Sequence, residues 1–199
     1  MQPYLTLGLC YLLGSFPSAR MLGRLWGVDP AHEGSGNLGA TNVLRLAGRL
    51  PAFLVFLADL SKGLLSVLLA QRFGLLSPAL EIAALAAVIG HIYPPWSRFK
   101  GGKGVATTTG IAFLLTPLLA LLAFVLFATI YRWRGLVSVA SLVALIVLAS
   151  LAWVLALWAP QQAGGEVATL YSAVALLSIW THRGNLARLR EGAEPSTPL

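Results

Sequence analysis

The sequence predicts an all-α membrane protein: a polytopic bundle of about seven helices in a single domain, residues 1–199. Three observations predict it. Hydrophobic residues make up 57% of the 199 and charged residues only 11%, against about 25% charged in a soluble domain. Mean hydropathy is +0.78. The net charge of +7 lies in short stretches between long apolar runs. Basic loops at a cytoplasmic membrane face account for that charge more simply than nucleic acid does.

Each span needs about 20 largely apolar residues. The first is residues 4–25. It reads as a retained span and not as a cleaved leader, since Met1-Gln2-Pro3 has no basic start and Arg20 and Arg24 follow the apolar run. That order places the N-terminus outside. The second span is roughly 50–74, and the third is 78–95, with Ser77-Pro78 as its start. Residues 136–158 and 166–182 make two more.

Val105 to Tyr131 is 27 residues long, generous for one crossing and short for two. Thr116-Pro117 divides it, and proline favours a turn or kink there. As one crossing it would put Arg132, Arg134, Arg183, Arg188 and Arg190 outside. As a helical hairpin it puts all five inside, beside Arg45, Arg49, Arg98, Lys100 and Lys103. Basic residues favour the cytoplasmic side, so the expected topology is N-out, C-in. No internal repeat appears, and the polar tail from Glu191, with Pro195 and Pro198, is expected to fray. Cys10, the single cysteine, reads as a buried inert thiol.

On this topology three polar segments collect on the cytoplasmic side. The first, Gly34 to Arg45, opens with Gly34-Ser-Gly36-Asn-Leu-Gly39, a literal G-x-G-x-x-G. A dinucleotide site needs a βαβ unit around it, and its neighbours here are membrane spans. Glycines do let a backbone approach an anion. Ser35, Asn37, Thr41 and Asn42, beside Gly36, add neutral donors, and Arg45 adds a fork suited to phosphate. The plain alternative is a polar loop with a helix cap at Thr41.

The second segment runs Gly90-His-Ile-Tyr-Pro to Phe99-Lys-Gly-Gly-Lys-Gly104. It is not a Walker A loop, since glycine follows Lys103 and Ser97 stands five before Gly102. Lys100, Gly101, Gly102, Lys103 and Gly104 suit a phosphate as point charges and backbone donors. The alternative is a basic loop near anionic headgroups. In the third segment His182, Asn185, Arg188 and Glu191 recur every three residues, one stripe if the last helix continues. His182 there is a candidate general base or hydrogen-bond donor. Asp59 and Lys62 lie mid-span at i,i+3 and read as a structural ion pair. His91 reads as an interfacial histidine or a supporting group. No cluster with metal-ligand spacing occurs, so neither metal nor cofactor is expected.

Taken together the three segments resemble the bacterial acyl-phosphate:glycerol-3-phosphate acyltransferase (PlsY) family. Its GSGN-x-GATNVLR, GH-x-x-P…FKGGKG-x-AT and H-x-x-N-x-x-R…G-x-E segments match Gly34–Arg45, Gly90–Thr107 and His182–Glu194 in order. Arg20 stands where that family suggests an aromatic or polar residue, and Trp180-Thr181 where arginine is common. The resemblance implies transfer of a fatty acyl group from acyl phosphate to the 1-hydroxyl of glycerol 3-phosphate, giving lysophosphatidic acid and phosphate. It implies that Ser35 and Arg45 bind a phosphate-bearing substrate, with Ser35 also among the catalytic residues, and that Lys103 with Gly101, Gly102 and Gly104 cradles acyl phosphate. His182 and Asn185 would orient or activate the hydroxyl, with Arg188 and Glu194 completing the site.

An acyl phosphate is already activated, so no covalent nucleophile is required; positioning and charge stabilisation suffice. The H-x-x-x-x-D pair of other glycerolipid acyltransferases is missing, since Asn37, Trp96 and Ala187 follow the three histidines at that spacing. The proton acceptor is His182 or a substrate phosphate oxygen. The expected partners are the two substrates and membrane lipids, with no nucleic acid, in a monomer in the bacterial cytoplasmic membrane. The competing reading is a transporter or flippase for a phosphorylated solute. It would place its site near the midplane, whereas here the polar segments gather on one side.

The topology is testable. With Cys10 replaced, cysteines placed at 132–134 and at the C-terminus should be shielded from a membrane-impermeant thiol reagent in intact cells. Labelling of the 132–134 loop from outside would contradict the hairpin.

Overall fold

A computed structural model describes residues 2–161 and 164–197, and among these the regular structure is entirely helical. The helices are α1 (Gln2–Gly14), α2 (Ser18–Leu25), α3 (Ala40–Ala47), α4 (Arg49–Arg72), α5 (Ala79–Ile92), α6 (Val105–Leu115), α7 (Pro117–Arg134), α8 (Val137–Trp158), α9 (Gly165–Thr181) and α10 (Arg183–Arg190), with a 3₁₀ turn at Pro95–Ser97. Four stretches are long and apolar enough to cross a bilayer: Arg49–Arg72, Ala79–Ser97, Pro117–Arg134 and Val137–Trp158. Val105–Leu115 and Gly165–Thr181 are shorter apolar helices. Leu118, Leu157, Trp158 and Leu176 are exposed. Such outward apolar side chains suit lipid contact.

The expected spans coincide with α4, α5, α8 and α9, and the break at Thr116-Pro117 separates α6 from α7. The first expected span does not hold as one helix. Pro17 lacks an N–H to continue the ladder, so α1 stops at Gly14 and an amphipathic α2 starts at Ser18. Thirteen residues of α1 reach only about 20 Å at 1.5 Å per residue, less than the roughly 30 Å hydrocarbon core. Polar groups at this break find partners, and Ser15 is buried. Ser15 N–H donates to the Tyr11 carbonyl (2.9 Å) and Trp96 Nε1 donates to Ser15 Oγ (2.9 Å).

The chain forms two compact units, Met1–Ile111 and Ala112–Leu199. In the first, small residues let helices approach closely. A Cβ at Gly14 would overlap the Ala87 carbonyl, and one at Gly90 the Tyr11 carbonyl, so α1 and α5 meet backbone to backbone. Gly63 and Gly110 do the same for α4 and α6. This is the packing expected where lipid supplies no hydrophobic drive between helices. A cluster of Ala19, Leu38, Val43, Ala52 and Val55 joins α2, α3 and α4 and anchors the loop before α3.

Within α4, Lys62 Nζ donates to Asp59 Oδ1 (2.7 Å) and to Ser18 Oγ (2.9 Å), and Ser18 Oγ–H donates to the same Asp59 oxygen. The expected ion pair is present, and both side chains are buried.

In the second unit α8 packs against α7 and α9. At the break before α7, Thr116 Oγ1 and Tyr171 Oη share a 2.8 Å hydrogen bond. The tail is docked where fraying was expected. Thr197 N–H donates to the Gly135 carbonyl (2.9 Å), and Thr197 is buried. Pro198 lies outside the described residues.

The ion pair yields a stability prediction. Asp59→Ala leaves the Lys62 ammonium buried without its carboxylate and is expected to cost about 3–5 kcal/mol. Asp59→Leu with Lys62→Met removes both charges and should melt closer to wild type in detergent. A single Asp59→Ala variant that melts like wild type would contradict the structural role of the pair.

Candidate active site

The two glycine-rich segments meet inside the first unit. Leu38 N–H donates to the Gly101 carbonyl (3.4 Å), joining the loop before α3 to the loop before α6. Asn42, a buried residue of α3, shapes the first loop. Its Oδ1 accepts from the Ser35 N–H (2.9 Å), and its Nδ2 donates to the carbonyls of Pro30 (3.0 Å) and Glu33 (3.1 Å). Both amide protons are thus committed to the loop, so Asn42 positions the site where the sequence suggested a substrate donor. Gly34 and Gly36 take positive φ, a conformation that favours glycine. Ser35 is left exposed at the tip, with Asn37 half-buried beside it. Thr41 is not a cap: α3 starts from Gly39 with no side-chain cap bond, and Thr41 lies in its first turn. Arg45 stands half-buried in the last turn of α3.

An ion pair braces the approach to this loop. Arg20 Nη2 bonds Asp29 Oδ2 at 3.2 Å, which gives the charged residue at position 20 a local purpose. His32 Nδ1 lies 3.0 Å from the same oxygen. The His32 hydrogen bond above all, with the Ala31 N–H and Arg20, holds the Asp29 carboxyl down at about 2 against the opposing effect of burial.

The second loop departs from expectation in a specific way. The Gly101 N–H donates to the Ile92 carbonyl (3.0 Å) and the Gly102 N–H to the His91 carbonyl (3.1 Å). Those donors close the C-terminal end of α5, whose last carbonyls need partners. The N–H groups of Gly101 and Gly102, which the resemblance implied would cradle acyl phosphate, are spent on that helix end. Arg98 and Phe99, just upstream, both have positive φ, each costing about 1–2 kcal/mol for a residue with a Cβ. Three backbone bonds hold that turn: Arg98 to Pro95 (3.3 Å), Phe99 to Pro94 (3.0 Å) and Lys100 to Ser97 (3.0 Å). Lys100 is exposed, Lys103 half-buried, and Gly104 leads into α6 at φ 82°.

The third segment builds a cluster in the second unit. His182, at the junction of α9 and α10, is buried. Its Nδ1 lies 2.7 Å from the Ser178 carbonyl. A carbonyl only accepts, so Nδ1 carries a proton, and in the neutral ring Nε2 is then the acceptor. Glu194 gathers the rest: Asn185 Nδ2 donates to its Oε1 (2.6 Å), Ser138 Oγ to the same oxygen (2.9 Å), and Arg188 Nε to its Oε2 (2.9 Å). Glu194 thus supports the segment, while Glu191 is exposed past the end of α10. Burial pushes the Glu194 carboxyl up, but the bonds from Asn185, Ser138 and Arg188 outweigh it and hold the group below its ordinary value. Sequence reasoning missed Ser138 and Ser178. Ser178 is four residues before His182 and was findable by helical spacing; Ser138, 56 residues from Glu194, carried no signal.

The glycerol-3-phosphate acyltransferase family model matches residues 4–192. The chain belongs to that family. Among curated members, the glycerol-3-phosphate acyltransferase of Thermus thermophilus is 47% identical over 192 residues, covering 95% of this chain and 92% of its own. Glycerol-3-phosphate acyltransferase 1 of Deinococcus radiodurans is 42% identical over 190 residues, covering 96% and 93%. The fold matches the crystal structure of PlsY (YgiH), an integral membrane glycerol 3-phosphate acyltransferase, in its glycerol 3-phosphate form. The TM-score is 0.90 at 37% identity, over 100% of this chain and 96% of that one. The lysophosphatidic acid form of PlsY aligns with a TM-score of 0.88, also at 37% identity, over 98% and 95%. As a member of this acyltransferase family the chain is an integral membrane enzyme of glycerolipid synthesis.

Glu194 carries the prediction for this site. A charge-assisted hydrogen bond contributes about 1.5–3 kcal/mol. Arg188 is more than a third exposed, so its share is screened. Glu194→Ala should cost roughly 2–3 kcal/mol and Glu194→Gln about half that. The carboxyl is depressed in the folded protein, so its contribution is fully present above the unfolded value of about 4.3 and is lost as pH falls through the lower folded value. Hydrogen exchange at the Ala193 N–H, which donates to the Arg188 carbonyl (2.8 Å), reports the docked tail. Unchanged protection in Glu194→Ala would contradict this role.

Proposed function

We propose that this enzyme takes its acyl group from acyl phosphate and passes it to the 1-hydroxyl of glycerol 3-phosphate, releasing lysophosphatidic acid and inorganic phosphate without a covalent enzyme intermediate. The observation that carries the reading is the union of the Ser35–Arg45 and Lys100–Gly104 segments through Leu38 and Gly101. It sets one exposed hydroxyl and two lysines on adjoining loops, with Arg45 at the end of α3, as cationic groups for substrates that both bear phosphate. The PlsY neighbours in glycerol 3-phosphate and lysophosphatidic acid forms support the acceptor and the product.

The roles divide as follows. Ser35, Arg45, Lys100 and Lys103 bind substrate phosphates, with Gly36, Asn37, Thr41 and Gly104 lining their approach. Asn42, Gly101 and Gly102 shape the loops. His182 Nε2 takes the proton from the attacking hydroxyl, and Asn185 orients it. Arg188 and Glu194 hold Asn185 in place. The hydroxyl oxygen forms the new ester bond to the acyl carbon, the mixed-anhydride C–O bond breaks, and phosphate leaves with the electron pair. Burial of Cys10, whose thiol faces the Ser66 carbonyl at 3.5 Å, supports direct transfer. The proposed setting is the bacterial cytoplasmic membrane, N-out and C-in, as a monomer with the site on the cytoplasmic face.

Purified protein given acyl phosphate should release phosphate only when glycerol 3-phosphate is present, in step with lysophosphatidic acid. Transfer from acyl-thioesters but not from acyl phosphate would overturn the donor. His182→Gln should lower turnover about 10²–10⁴-fold, the usual worth of general acid–base help, because an amide cannot accept the proton. His182→Ala also opens a buried void, so its melting temperature must be compared. Near-normal turnover by His182→Gln would assign the proton to a substrate phosphate oxygen.

A further inference from the structure

The glycine loop before α6 rests on a buried polar column that the proposed chemistry does not use. His91, in the last turn of α5, connects the two. On one side its ring lies against Gly102: a Cβ at Gly102 would overlap the ring at Nε2. On the other side His91 Nδ1 is 3.7 Å from Asp59 Oδ1, too far for a hydrogen bond but in packing contact with it. That oxygen also receives the Lys62 ammonium (2.7 Å) and the Ser18 hydroxyl. His91, Asp59, Lys62 and Ser18 are all buried.

The identity of residue 102 follows from this contact. Gly102 is not among the glycines with positive φ, so its φ does not itself call for glycine. It is buried, and its N–H is committed to the His91 carbonyl. The three atoms that a Cβ there would meet first all belong to the His91 imidazole ring. Next along the chain are Lys103 and Gly104, so the height of Gly102 above the ring sets where the Lys103 side chain and the start of α6 lie.

We infer that His91 is a positioning residue for acyl transfer: its ring, steadied by Asp59, is the floor that places Gly102 and Lys103 for the phosphate-bearing substrate. The inference rests on the reading that Lys100–Gly104 binds a substrate phosphate. On it, Gly102 is glycine to admit His91, not to admit substrate.

A suppression experiment separates these. Glycerol 3-phosphate acylation is measured for wild type, Gly102→Ala, His91→Ala, His91→Asn, and Gly102→Ala combined with each His91 change, using the donor that wild type accepts. Gly102→Ala should raise the KM of one substrate about tenfold or more, with a smaller change in kcat. Removing the ring makes room for the new methyl, so at least one double variant should recover about threefold or more of that loss. His91→Asn, which keeps a polar group toward Asp59, should lie nearer the wild-type KM than His91→Ala. Double variants as impaired as Gly102→Ala, while melting like it, would overturn the inference, because the space at Gly102 would then serve the substrate. A wild-type KM for both substrates in His91→Ala would overturn it too. Where Gly102→Ala fails to fold, the His91→Asn and His91→Ala comparison decides. Failure of wild type to use acyl phosphate would sink the donor assignment and leave this comparison intact.

Discussion

The core of a bilayer offers no water to an unpaired N–H or C=O, so a helix that stops within it must hand its last backbone groups to another part of the chain. The end of α5 shows what this does. Its final carbonyls, at His91 and Ile92, are taken by Gly102 and Gly101, and the Tyr93 carbonyl by the Tyr11 hydroxyl at 2.8 Å. The segment from Tyr93 to Gly104 is thereby folded back over α5. Through the Gly101 carbonyl it also holds Leu38, and so the Ser35 loop. Closing one helix end places both candidate phosphate loops.

The same constraint explains the charge buried in α4. Asp59 and Lys62 would be costly alone in an apolar helix, roughly 2.5–3.5 kcal/mol each on insertion scales. Paired with each other and with Ser18 they tie α2 to α4. A buried pair adds little net stability over apolar residues of like size. What it does supply here is an oxygen fixed beside His91, and therefore a reason for α2, α4, α5 and the glycine loop to keep one arrangement. In the second unit Glu194 plays the corresponding part, drawing in donors from α8 and α10. The polar tail is held by its carboxylate and by Thr197.

The division of labour among the site residues is accordingly uneven. Ser35, Arg45, Lys100 and Lys103 carry side chains suited to phosphate. Asn42, Gly101, Gly102 and Glu194 look equally functional in a linear motif, yet the hydrogen bonds each makes are spent on shape. A glycine-rich motif near a lysine invites a phosphate-cradle reading, and two of these glycines turn their N–H groups to a helix terminus instead.

The sequence by itself determined the membrane class, the extents of α4, α5, α8 and α9, the break at Thr116, the Asp59–Lys62 pair and the three segments that mark the family. Each rests on local pattern: apolar run length, proline, i,i+3 spacing, motif order. Only the tertiary structure decided the rest. Splitting of the first span turned on Pro17, which an apolar window passes over, and on Trp96, 81 residues from Ser15. The docked tail required Ser138 and Gly135, far from Glu194 and Thr197 in the chain. The tasks of Asn42 and Gly102 required knowing which carbonyls lie within 3.1 Å of their N–H groups. A motif specifies which donors a segment carries; only the folded chain shows which acceptors reach them first.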